Sequence, residues 1–451
     1  MIEDRWFKSL SAAMRKLDDG FANLPAFEND IDTAAMEAVL AQVAGRLTDN
    51  YPYFHPLYAG QMLKPPHPVA RAAYALAMGI NPNNHALDGG RASSRMEMEA
   101  VAALATMFGW ETHLGHLTSG GTFANLEALW VAGQLAQGNQ IASGKKIAAS
   151  AQTHYTHSRI SAVLGLPFVS IAVDNHARMD LAALEAELKS GEIGTLVVTL
   201  GTTATGSVDP LPQILALRER YGFRIHVDAA YGGYFTLAGN LEAPARAAFD
   251  ALPQVDSIVI DPHKHGLQPY GCGCVLFRDP SVGRFYKHDS PYTYFSSSEL
   301  HLGEITLECS RSGASAVALW ATQQLLPMVR GGEFAHGLES SRNAALALHT
   351  HLAADKRYVT AFPPELDIVV WAMRADSVAE SSRLAQRVFD RAAENNLHLA
   401  LSKLPVHFFP AGSWPDAAPD ADVTCLRSVL MKPDHLAWLP AILERLDAAA
   451  D

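Results

Sequence analysis

Apolar residues follow two different rhythms along this chain. Between residues 95 and 280, short runs rich in Val and Ile alternate with longer segments in which apolar residues recur every three or four positions. The short runs predict strands and the longer segments predict helices. The predicted strands are 146–149, 168–173, 195–200, 224–227, 257–260 and 273–277, and the predicted helices are 95–108, 122–137, 181–189 and 211–221. This alternation predicts an α/β fold, in which a mostly parallel central sheet is flanked by helices and ligands bind at the carboxyl ends of the strands.

The two ends of the chain have different patterns. Residues 31–47 have the apolar spacing of a helix, with Asp32 or Thr33 as its N-cap, and prolines punctuate residues 52–68. After Gly331-Gly332, the predicted strands are 366–372, 398–401 and 424–431, and the predicted helices are 377–395 and 433–449. We therefore expect an N-terminal helical arm (1–60), a large domain (61–330) and a small α+β C-terminal domain (331–451).

Composition narrows the class of protein. Of the 451 residues, 49% are hydrophobic and 18% are charged, which is ordinary for a globular protein and unlike a disordered chain. The net charge of −12 disfavours nonspecific binding to nucleic acid or to an anionic membrane. No apolar run reaches the ~18–20 residues that span a bilayer, and the acidic first residues do not resemble a signal peptide. The four cysteines form no CxxC pair, so we expect a cytoplasmic protein with reduced thiols.

A loop of small residues, Thr118-Ser-Gly-Gly-Thr122, stands directly before a predicted helix. The free N–H groups at the start of a helix bind anions, and glycine lets the backbone approach them closely. The loop can therefore hold a phosphate group, although an ordinary glycine turn with an N-cap has the same pattern. It is not a P-loop, because no Lys-Ser/Thr pair follows the glycines at the required spacing.

Two further motifs each place a reactive side chain after a predicted strand. In His226-Val-Asp228-Ala-Ala-Tyr-Gly-Gly233 the Asp228 carboxylate ends an apolar strand, where it needs a cationic partner or a metal. In Asp261-Pro-His-Lys264-His the lysine lies between two histidines, and this environment makes it a candidate for Schiff-base formation. A structural aspartate and a solvated surface lysine are the alternative interpretations.

One cofactor accounts for all three motifs. Pyridoxal phosphate needs a lysine for its aldehyde and an anion site for its phosphate. It also needs a carboxylate that keeps its pyridine nitrogen protonated, so that the ring accepts electrons. The motifs follow in the order glycine loop, Asp228, Lys264, and the separation of the last two leaves room for one crossover between strands.

These motifs resemble the group II pyridoxal-phosphate-dependent amino-acid decarboxylases, of the aspartate aminotransferase fold (fold type I). The resemblance covers roughly residues 52–433, and its most specific segments are those that contain Asp228 and Lys264. It implies that Lys264 forms the Schiff base, that Asp228 contacts the pyridine nitrogen and that His154 stacks on the ring. His154 is preferred to the nearby His157, because the family motif has its histidine before an aromatic or small residue. The resemblance assigns cofactor binding to Ser119, Gly120, Gly121, Thr122, His154, Thr203, Asp228, Ala230, His263, Lys264 and Ser310.

Two parts of the resemblance concern a second subunit and a loop. Ser310 resembles a serine that the neighbouring subunit adds to the phosphate site, which implies a homodimer with shared active sites. The family carries a proton-donating tyrosine on a loop. Tyr286, Tyr292 and Tyr294 stand in the corresponding stretch, 285–296, and Tyr292 is the preferred candidate for this catalytic role. Aromatic packing at the subunit interface is the alternative for all three.

The implied reaction is the decarboxylation of an L-amino acid to the corresponding amine and carbon dioxide. The same cofactor also serves aldol-type carbon–carbon lyases and aminotransferases, and Arg427 stands in a region where an aminotransferase holds the substrate carboxylate. Asn84, His85 and Asp88 are expected at a polar site mouth, or they only satisfy loop backbone. Substrate contact is expected from Asn84, His85 and Arg427, while the identity of the amino acid stays open.

The nineteen histidines raise the separate possibility of a metal enzyme. Three close pairs occur, which are His113/His116, His154/His157 and His263/His265. None has an HExxH pattern or a companion carboxylate at ligand spacing, so we expect no metal. A non-catalytic binding protein would leave the joint presence of Asp228 and Lys264 unexplained.

Overall fold

The computed structural model describes residues 4–25, 31–138, 145–287, 300–418 and 420–451. Within these ranges the chain forms two sheets and thirteen α-helices. The helices are α1 (Asp4–Asp19), α2 (Thr33–Leu47), α3 (Pro68–Met78), α4 (Leu87–Met107), α5 (Gly121–Gly138), α6 (Thr156–Leu164), α7 (Leu181–Leu188), α8 (Leu211–Tyr221), α9 (Ala243–Asp250), α10 (Gly313–Leu325), α11 (Glu333–Ala354), α12 (Val378–Glu394) and α13 (His435–Ala450).

The larger sheet has seven strands. They are β1 (Leu114–Thr118), β2 (Lys146–Ser150), β3 (Phe168–Ile171), β4 (Ile193–Thr199), β5 (Arg224–Asp228), β6 (Ser257–Ile260) and β7 (Gly273–Phe277). Their spatial order is β1-β7-β6-β5-β4-β2-β3, and β7 runs antiparallel to both of its neighbours while the other pairs are parallel. All residues of β6 and β7 are buried, as expected where helices cover both faces of a sheet. The predicted mostly parallel α/β sheet is confirmed.

Side-chain caps fix where several helices begin. The Asp32 carboxylate accepts a hydrogen bond from the N–H of Ala35 (2.9 Å) and starts α2, and Asp180 does the same for Ala183 (2.7 Å) at the start of α7. Each cap satisfies a backbone N–H that the first helical turn leaves free. Asp32 is thus the cap of the helix predicted at 31–47. That helix has no buried residue, although its sequence has an apolar stripe.

The smaller sheet is antiparallel and lies in the C-terminal part of the chain. Its strands are β8 (Tyr358–Thr360), β9 (Ile368–Met373), β10 (Ala400–Pro405) and β11 (Asp422–Val429), in the order β10-β11-β9-β8. Helix α12 packs on β9 and β11, and α11 and α13 pack against each other beside them. The chain around Tyr58 joins this sheet through a bridge to His398, and Val429 donates its N–H to the carbonyl of Ala59. The predicted small α+β unit is therefore present.

Strand β1 is the element of the large sheet that the apolar pattern did not predict. Gly115 and His116 interrupt its short apolar run. Its five residues form a strand because they pair with β7, where Leu117 lies opposite Cys274. A Cβ at Gly115 would lie 2.5 Å from the side chain of Leu276, so the close pairing needs a glycine. The strand matters because it ends at the glycine loop.

The two sheets meet in one continuous hydrophobic cluster, to which residues such as Ile258 of β6 and Val370 of β9 both belong. We propose Gly331-Gly332 as the junction between the large and small domains, since one sheet precedes it and the other follows it. Among the helices described, none is both long enough and apolar enough to cross a membrane.

Candidate active site

A cavity of about 550 Å³ lies where strands of the large sheet reach their carboxyl ends. Loops after β1, β2, β4, β5 and β6 all contribute to its wall. Ten of the eleven residues expected to bind the cofactor line it, which are Ser119, Gly120, Gly121, Thr122, His154, Thr203, Asp228, Ala230, His263 and Lys264. The fold therefore brings together side chains that are more than a hundred residues apart in sequence.

The glycine loop closes the end of β1 and opens α5. The N–H groups of Phe123 and Ala124 both bond to the carbonyl of Gly120, whereas those of Gly121 and Thr122 have no acceptor among the described residues. A Cβ at Gly121 would lie 2.7 Å from a carboxylate oxygen of Asp261, and one at Gly273 would lie 2.6 Å from the backbone of Gly120. Side chains are excluded from both positions, so the loop leaves free donors at a helix N-terminus that suit a phosphate.

Lys264 lies beside Asp261, the acidic residue that opens its own sequence motif. Its Nζ is 3.1 Å from Oδ2 of Asp261, a buried carboxylate, while the lysine side chain remains 21% exposed to the cavity. The neighbouring His263 has Nε2 at 3.5 Å from the same oxygen, and its Nδ1 donates to the carbonyl of Cys272 (2.8 Å). Burial lowers the pKa of His263, although the charge of Asp261 opposes this. Asp261 thus fixes both side chains at the cavity floor.

Asp228 is held by three donors in a buried place. Oδ2 accepts hydrogen bonds from Nε2 of His157 (2.8 Å) and from the Asn125 amide (3.4 Å), and Oδ1 accepts from the N–H of Ala230 (3.1 Å). Burial alone would raise the pKa of Asp228. The hydrogen bond and charge of His157, with the charge of Lys264, outweigh it and hold the pKa of the carboxyl below its usual range. The carboxylate is ionised and still has acceptor capacity for one more donor.

A chain of polar side chains continues behind Asn125. Its Oδ1 lies 2.7 Å from Nε2 of His226, whose Nδ1 lies 2.9 Å from the hydroxyl of Ser257. Burial, with a smaller effect of the His157 charge, lowers the pKa of His226 to about 3, so this histidine is neutral and has one donor and one acceptor nitrogen. Because the Oδ1 atom of Asn125 can only accept, Nε2 of His226 donates to it, and Nδ1 accepts from the hydroxyl of Ser257. The Asn125 amide group is thereby oriented to donate to Asp228.

His154 and His157 take different places. His154 lines the cavity, and its Nδ1 accepts a hydrogen bond from the N–H of Thr156 (3.2 Å) at the start of α6. Burial lowers the pKa of His154, partly offset by the charge of Asp228. A neutral imidazole on the wall suits the face of a flat ring. His157, the second residue of α6, is fully buried and contacts Asp228 from outside the cavity wall.

Arg427 does not line the cavity. Its guanidinium donates to the carbonyls of Thr203 (2.6 Å) and Ala204 (3.0 Å), and also to the Gly60 carbonyl (3.4 Å) and the side-chain oxygen of Gln61 (3.2 Å). Four of its five N–H donors are thereby directed to acceptors of this chain. Arg427 holds the loop that presents Thr203 to the cavity against the small domain.

The remaining predicted residues lie elsewhere. Asn84 is fully buried, where it donates to Glu97 (2.6 Å) and accepts from Ser93 (2.5 Å). The carbonyl of His85 accepts from the N–H of Gly303, and the Ser310 hydroxyl accepts from the Asn83 amide (3.1 Å). The segments around residues 84 and 310 are thus packed together, and neither contributes to the cavity wall of its own chain.

The three candidate loop tyrosines divide into two groups. Tyr286 packs in a core cluster with its ring 5.0 Å from that of Trp130, and burial with the nearby Glu127 raises its pKa far above the usual range. It is therefore placed away from the cavity. Tyr292, the preferred candidate, and Tyr294 lie outside the described residues.

Glu97 and Glu308 connect the segments around residues 84 and 310 to the end of β1 and to the glycine loop. The buried Glu97 carboxylate accepts from the Asn84 amide, from the N–H of Leu117 (3.0 Å) and from Arg311 (2.7 Å). Oε2 of Glu308 accepts from the N–H of Ser119 (3.2 Å). Segments distant in sequence therefore position the end of β1 and the first residue of the loop.

Sequence reasoning missed several residues at this site. Asp261, Asn125 and His157 contact Lys264 or Asp228, and Tyr155 and Tyr270 line the cavity without a prior assignment. The motif around Lys264 contained Asp261, and a carboxylate that directly follows a buried strand was an available signal for it. No comparable signal marked Asn125, because its role depends on which face of α5 meets β5.

One grouping in the described part of the chain has metal-ligating side chains close together, namely His351, Asp355 and Asp447. Arg357 lies between the two carboxylates and pairs with both, at 2.6 Å from Asp355. An arginine already neutralises this cluster, which lies on the small domain away from the cavity. Nearer the cavity, His157 and His265 pair with Asp228 and Asp367 instead.

The cavity fits pyridoxal phosphate in each of its parts. The glycine loop offers free N–H donors, Asp228 is an ionised carboxylate with a vacant acceptor position, and the Lys264 amine reaches the same space. Ala230 adds a small side chain on the wall, and His154 a neutral ring. The donor set therefore matches phosphate, pyridine nitrogen and aldehyde.

Comparison with known proteins gives the same assignment. Residues 13–374 match the model of the pyridoxal-dependent decarboxylase conserved domain. An L-tyrosine decarboxylase of Enterococcus faecium is 27% identical over 464 aligned positions, covering 79% of this chain and 76% of the relative. A probable L-tyrosine/L-aspartate decarboxylase of Methanoculleus marisnigri is 32% identical over 267, covering 59% and 69%.

A solved structure supports the fold. Oryza sativa TDC, crystallised with PLP and tryptamine, superposes with a TM-score of 0.78 at 18% identity, covering 99% of this chain and 96% of that one. At this level of identity the likeness concerns the fold. The family match spans most of the chain, so this protein belongs to the pyridoxal-dependent decarboxylase family and is a pyridoxal-phosphate-dependent carboxy-lyase of amino acids.

Proposed function

We propose that this chain decarboxylates an aromatic L-amino acid, with L-tyrosine the first candidate, through a Schiff base on Lys264. The observation that carries the residue assignment is the meeting of the Lys264 amine and the triply held Asp228 carboxylate in one cavity. The named relatives act on tyrosine or aspartate.

The lining of the cavity favours an aromatic over an acidic substrate. Tyr155, Tyr270 and Phe123 lie on the wall. Among the described residues of the wall, Lys264 is the one lysine or arginine, and in the resting enzyme the aldehyde of the cofactor would engage its amine. A side-chain carboxylate would therefore enter without a cation to pair with, which is costly in a partly buried site.

Each residue has a distinct proposed task. Bound pyridoxal phosphate supplies a conjugated ring that accepts the electron pair left by carbon dioxide. Asp228 keeps a proton on the pyridine nitrogen, because its low pKa leaves it ionised and His157 and Asn125 fix its orientation. The glycine loop binds the phosphate. His154 covers one face of the ring.

Proton delivery is assigned to a different group. Because burial lowers its pKa, His154 is neutral near pH 7 and is a weak acid there. We therefore keep Tyr292 as the proposed donor of the proton to Cα. Tyr270, which lies within the described wall, already has its hydroxyl directed to the carbonyl of Met62 (3.1 Å).

The position of Arg427 argues against an aminotransferase. That reaction needs a guanidinium free to grip the substrate carboxylate, but four donors of Arg427 already bond to acceptors of this chain. A carboxylate held without a firm ion pair is lost more readily as carbon dioxide. An aldol-type lyase remains the competing reaction on the same cofactor.

The decisive experiment measures carbon dioxide and product for a panel of substrates. The purified holoenzyme is incubated with L-tyrosine, L-aspartate, L-glutamate, L-lysine and a β-hydroxy amino acid. We expect release of carbon dioxide with formation of tyramine from tyrosine and little from aspartate. Aldehyde from the β-hydroxy substrate without carbon dioxide would replace the proposal with an aldol-type lyase. Repeated turnover to a keto acid, in a parallel incubation with an added 2-keto acid as amino-group acceptor, would replace it with an aminotransferase.

We also propose a homodimer whose subunits complete each other's sites. Helix α2 leaves apolar side chains exposed along one stripe: Met36, Val39, Leu40, Val43 and Leu47. Such a stripe on a fifteen-residue helix favours burial against another molecule. Ser310 lies outside the cavity wall of its own chain, which is compatible with a role in the partner's site.

The oligomeric state tests this proposal. We expect light scattering after size-exclusion chromatography to give twice the monomer mass, and Leu40→Asp to shift it towards the monomer. Glu37→Gln, on the same exposed helix, is the matched control and should keep the dimer. A monomeric wild-type protein would contradict the proposal.

We further propose the cytoplasm as the compartment, because all four cysteines are free thiols.

A further inference from the structure

A second cavity, of about 490 Å³, lies at the junction of the chain after residue 54, the large domain and the small domain. It shares no wall residue with the active-site cavity. Its floor is apolar and includes Phe54, Pro65, Leu267 and Phe334. A volume of this size accommodates a small organic molecule. None of the tasks proposed for the active site uses it.

Two lysines bring positive charge to its wall without a carboxylate partner. Nζ of Lys64 donates to the carbonyl of Met431 (3.3 Å), and Nζ of Lys432 donates to the carbonyl of Tyr58 (2.6 Å). No carboxylate lies within 4.0 Å of either nitrogen in the described ranges. Lys432 is only 3% exposed. A buried ammonium group without a counter-ion is costly, and two of them near each other are more so.

The effect of this crowding appears in the acidity of both groups. Burial lowers the pKa of Lys64 to about 8, against the opposing charge of Asp367. Burial, together with the charge of Lys64, lowers the pKa of Lys432 to about 7. An anion placed between the two amines would restore their protonation and supply the missing counter-charge.

The rest of the wall is mixed but leaves room for such an anion. Arg71 and three histidines add positive or titratable groups, and Glu333 and Asp434 add the acidic ones. The charge of Asp434 acts on Lys432, and that of Glu333 acts on His67. The titratable and charged groups that face the two lysines are Asp367, Asp434, His435, His265, His67, His336, Arg71 and Glu333.

We propose that this cavity is a second ligand site, which binds a small organic oxyanion with its charged group between Lys64 and Lys432 and its apolar body on the Phe54–Phe334 side. Carboxylate and phosphate groups have the chemistry that two ammonium donors recognise. The apolar floor favours an organic body over a bare inorganic ion.

The site has a direct structural connection to the active-site cavity. His265 lines the second cavity, and its Nε2 is 3.2 Å from Oδ2 of Asp367. Tyr231 lines the first cavity and donates its hydroxyl to Oδ1 of the same carboxylate (2.6 Å). Asp367 is fully buried between them. An anion bound at Lys64 keeps its amine protonated and so changes the electrostatic field at Asp367. Because Tyr231 donates to Asp367, this change affects the position of Tyr231.

Binding is tested by calorimetry on the holoenzyme with defined probes. Phenylacetate and phenyl phosphate are the anionic probes, 2-phenylethanol is the neutral probe, and inorganic phosphate is the probe without an apolar body. We expect at least one aromatic anion to bind, at least tenfold more tightly than 2-phenylethanol and inorganic phosphate. Which of the two anions binds more tightly identifies the charged group. Equal binding of 2-phenylethanol would overturn the anion site, and equal binding of inorganic phosphate would overturn its organic character.

Variants assign the binding to this cavity. Lys432→Gln and Lys64→Gln should each weaken the aromatic anion at least tenfold, and Asp434→Asn should tighten it about threefold by removing a like charge. Lys403→Gln, an exposed lysine of the same domain, is the control and should leave the affinity unchanged. Affinity should also fall at least tenfold between pH 6 and pH 9, because the two lysines lose their protons in this interval. Binding that persists unchanged in both lysine variants would overturn the proposal.

The connection between the cavities is tested by rate and rests on the proposed decarboxylase function. The saturating probe should change the decarboxylation rate at least twofold in the wild-type enzyme and not in Lys432→Gln. Lysine-dependent binding with an unchanged rate would overturn the connection alone. Because calorimetry needs no turnover, a failure of the proposed reaction leaves the binding result intact.

Discussion

The two cavities on either side of residues 261–268 treat buried positive charge in opposite ways. At the active-site cavity Lys264 lies 3.1 Å from Asp261, and Asp228 of the wall lies 2.8 Å from His157 behind it. In the second cavity Lys64 and Lys432 donate to carbonyl oxygens, and Nζ of Lys432 also lies 5.3 Å from the centre of the Tyr58 ring, but neither nitrogen has a carboxylate within 4.0 Å among the described residues. Paired charge holds a site in shape before its ligand arrives, whereas unpaired charge favours the arrival of a counter-ion. The first cavity therefore orients its ligand through fixed side chains, whereas the second attracts an anion through its unpaired positive charge.

The largest expected effect comes from removing the amine of the paired site. Lys264→Ala should abolish decarboxylation and the visible absorption of the protein-bound Schiff base, because no other amine on the described wall can form it. Activity assays and absorption spectra of the variant with added cofactor measure both. Lys403→Gln should retain colour and activity. A Lys264→Ala protein that keeps the visible band, or a borohydride adduct on another lysine, would contradict the assignment of Lys264 as the Schiff-base lysine.

A smaller effect is expected when the pairing of Asp228 is broken. His157→Phe removes the 2.8 Å hydrogen bond, so the pKa of Asp228 should rise and kcat should fall about ten- to a hundredfold. The acid limb of the kcat profile should move up by about one pH unit. His157→Gln keeps a donor and should recover part of the loss. Identical pH profiles for wild type and His157→Phe would show that this histidine only fills space.

Asp367 is the buried carboxylate that contacts one wall residue of each cavity, and its replacement should lower stability. Asp367→Asn breaks the contact with His265 and alters that with Tyr231, so the free energy of unfolding should fall by about 3 kcal/mol. Urea denaturation measures the change. The control is Asp416→Asn, at an exposed position. Equal stability of the two variants would mean that the buried network is not under electrostatic constraint.

The smallest effect, per group and per pH unit, is the response to mild acid. Burial lowers the pKa of His226 near the first cavity to about 3 and that of His435 near the second to about 4. The unfolded chain takes up these protons below about pH 6.5 while the folded chain does not. Stability contributed above pH 6.5 is therefore lost as the pH falls towards 4, by about 1.4 kcal/mol per pH unit for each histidine.

Denaturant unfolding between pH 6.5 and 4.5 checks this prediction, in a window where most carboxylates stay ionised. His435→Gln should reduce the slope of unfolding free energy against pH by the contribution of one histidine. His351→Gln, at a partly exposed position, is the control and should leave this slope nearly unchanged. Stability that is constant across the window would contradict the neutral state of both buried histidines.

The parts of the molecule that follow local rules were predictable from the sequence. Strand β6 and helix α8 were predicted with the bounds that the structure has, because an apolar run and a helical stripe are local patterns. The position of Lys264 after a strand was visible in the same way. Strand β1 was missed, since its five residues depend on pairing with β7.

The relations between distant residues were not predictable in this way. The sequence favoured His154 over His157 for the cofactor site, and only the three-dimensional structure shows that His157 contacts Asp228. Asn84 carried the polarity expected at a site mouth, but three-dimensional packing places it against Glu97 in the interior. Of the nineteen histidines, three near the cavity contact oxygen atoms of this chain: His157 that of Asp228, His265 that of Asp367 and His263 the carbonyl of Cys272.

The Glu97 carboxylate has a consequence for the order in which the chain acquires its structure. It accepts from Arg311 across 214 residues of sequence and from the N–H of Leu117 in β1, while a backbone bond from the N–H of Asn84 to the Arg311 carbonyl crosses a similar span. Closing loops of this length costs entropy that is recovered only when both ends are already folded. We expect the glycine loop to reach its final geometry late during refolding. Competence to bind the cofactor should then lag behind the recovery of helical secondary structure.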